Sequence, residues 1–174
     1  NSLAQISETH ENVKVHYLFR PTEGWVWDIS RAIMIKLGYV LGFRSKHAHL
    51  LADHRRTLIN EIGGVNGEGV IIHYAHSLGG SETDRARDLL TPEEQQMIRV
   101  ITIGSPTLLK NIGFQSVANY VSVNDWIPFF DPISRFSHWF SSNSNVFIHG
   151  TFGISSVCIL DHYLDSKTYT ITMK

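Results

Sequence analysis

The chain has 174 residues, of which 43% are hydrophobic and 18% are charged, and its formal net charge is −1 with histidine neutral. This size and balance predict one globular domain with a sizeable core, and they exclude a disordered chain. A nearly neutral chain offers no electrostatic attraction to nucleic acid. No apolar stretch reaches the roughly 18 residues that a membrane span requires, and the single cysteine, Cys158, excludes an intrachain disulfide.

The first part of the chain predicts a strand followed by two helices. Residues 13–19 are β-branched and aromatic, which is typical of a buried strand. Asp28 is able to cap a helix that runs to about Leu41, because the apolar residues of this segment recur at three- and four-residue spacing. A second helix is expected over roughly residues 47–62, closed by the glycine pair that follows it.

The rest of the chain predicts short strands that alternate with polar helices. Residues 69–74 (GVIIHY) read as a buried strand, and a charged helix follows Ser77. The inward apolar stripe of that helix consists only of Leu78, Ala86, Leu89 and Leu90. Thr91 and Pro92 begin another helix, with acidic residues in its first turn. Further strands are expected at residues 100–103, 120–123 and 146–148, and a last one around 168–173.

Strands that alternate with helices imply a mostly parallel sheet with helices on both faces. The sequence therefore predicts a three-layer α/β fold in a single domain over residues 1–174. The start at Asn1 rather than Met fits either a processed form or a domain excised from a longer chain. Binding and catalytic sites in such sheets lie beyond the carboxyl ends of the strands, so candidate residues are judged by that position.

The stretch AHSLGG, residues 75–80, lies between a predicted strand and a predicted helix. A serine on such a turn forms a nucleophile elbow when small residues two positions before and after it let the strand and helix approach closely. Ala75 and Gly79 occupy these positions around Ser77. The pattern predicts a nucleophilic serine, and an ordinary tight turn is the alternative.

A serine hydroxyl needs a histidine to accept its proton and a carboxylate to orient that histidine. In sheets of this type the acid precedes the histidine along the chain. Asp125 follows the fourth predicted strand in the required order, and Asp131 is the reserve acid. His162 lies near the C terminus, where a late loop supplies the base, and we favour it over His138 and His149.

Five short segments also follow one another in a characteristic order. They are FRPTEGWVWD (19–28), AHSLGG (75–80), ITIGSP (101–106), VNDWIP (123–128) and LDHYL (160–164). Together they resemble the class 3 (fungal-type) triacylglycerol lipases, which have the α/β-hydrolase fold. The resemblance covers most of the chain and implies the same fold. It also implies that Ser77 is the nucleophile, Asp125 the triad acid and His162 the triad base.

The resemblance also implies an oxyanion hole, formed by Thr22 and by the N–H of Leu78 beside the nucleophile. The family's F-R-G-[ST] motif is Phe19-Arg20-Pro21-Thr22 in this chain. Because Pro21 has no N–H, the second donor must be another group, most simply the N–H and hydroxyl of Thr22. The strand and loop that usually precede the elbow are missing or shortened, so we expect a minimal version of the fold.

The segment after the predicted acid is rich in aromatic residues, including Trp126, Phe129 and Phe130. With His76 beside the nucleophile, they are expected to line an acyl-binding groove, and packing beneath an irregular loop is the alternative. The predicted activity is hydrolysis of a small-molecule or lipid carboxylic ester through an acyl-enzyme on Ser77. This chemistry needs no metal and no organic cofactor, and peripheral contact with a membrane is compatible with it.

Two other functions stay open at this point. An acyltransferase would use the same triad with an alcohol in place of water. A non-catalytic binding module that kept the hydrolase scaffold is the other, favoured by Ala75, Pro21 and the charged helix after the serine. The ending DHYLDSKTY also resembles an uncharacterised protein family of obligate intracellular bacteria, a resemblance that implies no activity.

Two motifs resemble ligand sites but predict ordinary structure. GGVNGEG (63–69) precedes a strand instead of following one and lacks the G-x-G-x-x-G spacing, so it predicts a turn and not a dinucleotide site. His47, His49 and His54 share a predicted helix, but the first two face different sides of it and no H-E-x-x-H pattern is present. They predict a solvated helix face and not a metal site.

Overall fold

A computed structural model describes residue 16, residues 46–122, residue 125 and residues 145–149 of the chain. Within these residues the elements are α1 (Lys46–Glu61), β1 (Ile71–His76), α2 (Leu78–Arg87), α3 (Pro92–Gln96), β2 (Ile98–Ile103), β3 (Ser116–Ser122) and β4 (Val146–His149). The predicted elements at residues 13–19, 28–41 and 168–173 lie outside the described residues.

The four described strands form one parallel sheet in the order β1-β2-β3-β4. Its register is continuous, because Ala75 pairs with Thr102, Thr102 with Asn119, and Asn119 with Val146. A parallel sheet with helices between β1 and β2 confirms the predicted α/β class. The finer prediction of a three-layer hydrolase architecture goes beyond what these residues show.

The helices α1 and α2 pack against each other, and α2 also packs on β1. The apolar residues of α1 recur at positions 48, 51, 52 and 59, which places them on one side of the helix. The shared core contains Ala48, Leu51, Ala52, Ile59, Ala86, Leu90, Met97, Ile98, Val100, Leu109, Phe114 and Val117. This packing fixes the position of α2 relative to β1, and with it the position of Ser77, which precedes α2.

The expectation that residues 69–74 form a buried strand is wrong in two respects. The strand β1 spans Ile71–His76, and Gly69, which was expected to begin it, instead lies close to Ile62 just after α1. Within β1 only Ala75 is fully buried, and Ile72 is 44% exposed. Successive strand residues point to opposite faces, so Ile72 lies on the face away from α2.

The helix α2 buries more polar groups than its narrow apolar stripe indicates. Glu82 and Arg85 are buried along with Leu78 and Ala86. Thr83 is also buried, and its hydroxyl lies 2.8 Å from Nε2 of His73 on β1. Hydrogen bonds between side chains therefore supply part of the interface that sequence periodicity assigns to apolar contacts.

The local helix signals are confirmed where the structure describes them. The hydroxyl of Thr91 accepts from the N–H of Glu94 (3.3 Å), while the carboxylate of Glu94 accepts from the N–H of Thr91 (2.8 Å). Pro92 begins α3, where its missing N–H is not needed. After α1 the chain turns through Gly63 and Gly64, which have positive φ angles of 101° and 75°.

The predicted solvated face of α1 is confirmed at two of its three histidines. His47 and His49 are exposed and His54 is half-buried. Among the described residues no group of three metal-ligand side chains is close enough to hold an ion. Within the same residues, no helix combines the length and apolar character needed to cross a bilayer.

Arg55 is the unexpected member of the core. It lies on the buried side of α1 with 1% of its surface exposed, and its three guanidinium nitrogens have no hydrogen-bond partner in the described structure. The ring of Phe114 lies 5.5 Å from its Cζ, close enough for a cation–π contact. Burial lowers the pKa of Arg55 to about 9, so the side chain is still charged at neutral pH.

Protonation of His73 is expected to destabilise the fold in mild acid. Desolvation holds the pKa of His73 well below its usual value, and the positive charges of Arg55 and His54 lower it further. Between that lowered pKa and about pH 6.5 the unfolded chain binds more protons at this position than the native protein. The free energy of unfolding therefore falls as the pH drops below about 6.5, by about 1.4 kcal/mol for each unit of pKa difference.

Urea unfolding at pH 7.5 and at pH 5 measures this effect. His73→Gln keeps a partner for Thr83 without a titrating group, and it is expected to lose less stability between the two pH values than the wild type. His47→Gln removes an exposed histidine and should retain the wild-type loss. Equal losses in His73→Gln and the wild type would show that the acid sensitivity arises elsewhere.

Candidate functional site

The turn at Ser77 has a strained backbone. Ser77 joins β1 to α2 with φ +52° and ψ −127°, and it is the sole non-glycine residue with positive φ in the described parts of the chain. Such a conformation costs on the order of 1–3 kcal/mol and persists only where the surrounding structure imposes it. A sharp strand-to-helix turn of this kind is the geometry that a nucleophile elbow requires.

Backbone hydrogen bonds hold the strained residue on both sides. The N–H of Ser77 donates to the carbonyl of Ile103 at the end of β2 (3.0 Å). The carbonyl of Ser77 accepts from the N–H of Gly80 in the first turn of α2 (3.0 Å). The residue is therefore fixed against the carboxyl end of the neighbouring strand, at the edge where sites in parallel sheets lie.

The close approach behind the turn occurs at Gly80 rather than at Gly79. A Cβ on Gly79 would lie 3.8 Å from the Cβ of Ala75, which is an ordinary contact. A Cβ on Gly80 would lie 2.6 Å from the Cβ of Ser105, and nearer still to its Oγ. The steric need for glycine is thus at the second position of the pair, which the spacing rule applied to the sequence did not identify.

The loop after β2 supports the first turn of α2. Ser105 Oγ donates to the carbonyl of Thr107 (2.7 Å) and accepts from its N–H (3.1 Å). The hydroxyl of Thr107 in turn lies 2.8 Å from Ser81 Oγ in α2. The ITIGSP segment therefore helps to hold the first turn of α2 in place beside Ser77, although the lipase resemblance assigns it no catalytic group.

Asp125 follows β3 and is fully buried. Its N–H donates to the carbonyl of Ser122 (3.2 Å), which turns the chain at the carboxyl end of that strand. The strand that precedes Ser77 and the strand that precedes Asp125 are separated by β2 alone, so their axes lie about 10 Å apart. The predicted nucleophile and the predicted acid thus follow strand ends at the same edge of the sheet.

Two further site candidates adjoin the predicted nucleophile, Ser77. His76 is the last residue of β1, half-buried and directly before Ser77. Leu78 is the first residue of α2, where N–H groups have no acceptor within the helix. The N-terminal end of a helix also carries partial positive charge, which stabilises negative charge next to it. An oxyanion formed on a group attacked by Ser77 would lie near this end.

The remaining candidates divide between β4 and the segments outside the described residues. His149 is the last residue of β4 and pairs with Ser122, so its assignment to a strand is confirmed. The other candidates for the oxyanion hole, the groove, the acid and the base lie outside the described residues, namely Thr22, Trp126, Phe129, Phe130, Asp131, His138 and His162. Their roles stay predictions.

Sequence signals were available for part of what was missed. Two successive glycines, Gly79 and Gly80, weaken the start of a helix, since glycine costs about 1 kcal/mol relative to alanine there. Such a cost indicates a close backbone approach. The partner in that approach, Ser105, lies in a different loop, and nothing in the local pattern connects the two.

No family model, curated protein or solved structure matches this chain.

Proposed function

We propose that the chain is a serine hydrolase that cleaves a carboxylic ester through an acyl-enzyme on Ser77. The observation that carries the proposal is the strained backbone of Ser77 at the junction of β1 and α2. Hydrogen bonds with β2 and α2 hold this one non-glycine residue in its strained conformation. Such strain is expected where a turn must expose a serine side chain beyond the strand and the helix. An ordinary turn at this point would relax the strain with glycine.

In the proposed reaction, Ser77 Oγ attacks the ester carbonyl while His162 takes the hydroxyl proton. His162 then gives that proton to the departing alcohol, which leaves an acyl group on Ser77. Water, deprotonated by the same imidazole, attacks the acyl carbon, and the carboxylic acid departs as the serine hydroxyl regains its proton. Asp125 holds the imidazole in the required orientation, a role supported by its burial after β3.

Charge on the tetrahedral intermediate would be stabilised by the N–H of Leu78 and by Thr22. Each well-aimed donor lowers the barrier by about 3 kcal/mol. The position of Leu78 at the start of α2 supports this role, since the helix end adds its own favourable potential. Trp126, Phe129 and Phe130, with His76, would bind the acyl group of a small-molecule or lipid ester.

A fluorophosphonate probe tests the proposal, because an activated serine displaces its fluoride and forms a stable phosphonyl ester. The wild type is expected to be labelled on Ser77, and Ser77→Ala is expected to remain unlabelled. Ser116→Ala, which alters an exposed serine of β3, serves as the matched control and should label at the wild-type rate. A folded wild-type protein that does not react would favour the non-catalytic binding module.

The same assay assigns the base. His162→Ala is expected to lose labelling and hydrolysis of p-nitrophenyl esters by several orders of magnitude, on the order of 10⁴-fold or more. His149→Ala should retain both activities. The reverse pattern would transfer the role of general base to His149 and overturn the assignment of His162.

A further inference from the structure

Asn119 lies in the middle of β3 and is fully buried. Its Oδ1 accepts from the hydroxyl of Thr102 on β2 (2.8 Å) and from the N–H of Leu109 (3.0 Å). Its Nδ2 donates to the carbonyls of Leu109 (2.9 Å) and Asn145 (3.4 Å). One side-chain amide thus joins β2, the connection after β2, and the residue that precedes β4.

Asn145 comes directly before β4 and is 9% exposed. Its Nδ2 donates to the carbonyls of Leu109 (3.1 Å) and Val117 (3.0 Å), and its own carbonyl accepts from the N–H of Asn119 (2.8 Å). Its Oδ1 is buried and has no hydrogen-bond partner in the structure described. A buried acceptor without a partner is costly, so the two donated bonds are the reason for an amide at this position.

These bonds lie at the start of β4, beside β3. The strand β3 ends at Ser122, and β4 pairs with it from Val146, which lies opposite Asn119, while the carbonyl of Asn145 accepts from the N–H of Asn119. The strand β4 has only four residues, so its backbone bonds to β3 specify the register weakly. A slip of one residue would turn every side chain of β4 to the opposite face of the sheet.

We infer that Asn119 and Asn145 form a register clamp that fixes β4 beside β3 and thereby positions the chain leading to the catalytic base. This inference rests on the proposed function, in which His162 follows β4 and must reach Ser77. Neither asparagine touches the reacting atoms, so both are positioning residues. Donation from Asn145 to two carbonyls on different segments fixes the point at which β4 begins to pair with β3.

Three variants test the clamp. Asn145→Leu replaces the amide with an apolar side chain of similar size. The carbonyl of Val117 loses its bond from Asn145, while the carbonyl of Leu109 keeps only the bond from Asn119. Asn145→Ser is milder, since a hydroxyl retains one donor. Asn111→Leu is the matched control, because Asn111 Oδ1 accepts from the N–H of Val117 at 3.0 Å. The control therefore also loses a side-chain bond to β3, but without touching β4.

Hydrogen exchange and probe labelling are measured on each variant. In Asn145→Leu the amides of β4 are expected to exchange about tenfold or more faster than in the wild type, while those of β1 and β2 keep their protection. The labelling rate of Ser77 at saturating probe is expected to fall about a hundredfold, because misplacement of a catalytic group lowers rate and not affinity. Asn145→Ser should lie between, and Asn111→Leu should match the wild type in both measurements.

Each contrary result has a separate meaning. Wild-type protection of β4 in both Asn145 variants would overturn the clamp. Faster exchange of β4 with an unchanged labelling rate would overturn the positioning role. A wild type that does not label would overturn the proposed function and the positioning role with it, while hydrogen exchange would still decide whether the two asparagines set the register.

Discussion

Ser77→Gly is expected to unfold at a higher urea concentration than the wild type, while Ser77→Ala unfolds at about the wild-type concentration. Glycine adopts φ +52° without the steric penalty that a Cβ imposes, and strain of this kind costs on the order of 1–3 kcal/mol. The greater entropy of glycine in the unfolded chain offsets about 0.5–1 kcal/mol of this gain. A net stabilisation of about 1 kcal/mol is expected for glycine.

Both Ser77 variants are expected to lose hydrolysis of p-nitrophenyl esters by roughly five to six orders of magnitude, since neither retains a nucleophile. Stability and activity are thus expected to change in opposite directions in Ser77→Gly. Chemical denaturation and initial rates on the same preparations measure both. If Ser77→Gly were less stable than Ser77→Ala, the side chain at this position would not be the source of strain.

Gly80→Ala is expected to reduce both stability and the rate of serine labelling, whereas Gly79→Ala should increase stability. The added Cβ at Gly80 meets Ser105, so the first turn of α2 must move and the free energy of unfolding falls by about 1–3 kcal/mol. Because Ser77 precedes this turn, a shift of about 1 Å would lower the labelling rate by up to about a hundredfold. Gly79→Ala meets only Ala75 at 3.8 Å and gains up to about 1 kcal/mol of helix propensity.

A double-mutant cycle with Ser105→Gly checks the cause of the Gly80 effect. Ser105→Gly removes the atoms that an alanine at position 80 would meet, at the cost of the hydrogen bonds to Thr107. The two substitutions together should therefore be less harmful than the sum of their separate effects. Additive losses, or equal behaviour of Gly80→Ala and Gly79→Ala, would show that the close approach does not constrain the elbow.

Local pattern predicted those parts of the fold whose causes are local. The apolar spacing of α1, the Thr91 capping box and the glycine turn after α1 all depend on residues within a few positions of one another. The strand-to-helix setting of Ser77 is also local, and the structure shows it. Strand alternation was sufficient to predict a parallel sheet, because the connections between strands are too long for hairpins.

The rest depends on contacts between distant segments. Gly80 meets Ser105, His73 meets Thr83, and Asn145 meets Leu109 only after the chain has folded. Burial of β1 was overestimated for the same reason, since a run of apolar residues does not reveal which face a helix will cover. At the candidate site, Ser77 and Asp125 were both placed correctly at strand ends, whereas the predicted base, His162, lies outside the described residues.

The cation in the core has a consequence for how much sequence change the domain tolerates. Arg55 keeps its charge at neutral pH without a hydrogen-bond partner in the described structure, and contact with Phe114 returns only part of that cost. Domains of this kind have a margin of only about 5–15 kcal/mol between the folded and unfolded states. The buried charge therefore lowers the free energy of unfolding of the domain. Random substitutions elsewhere in the core will bring it to the threshold of unfolding sooner, whereas an apolar residue at position 55 would let the domain tolerate more of them.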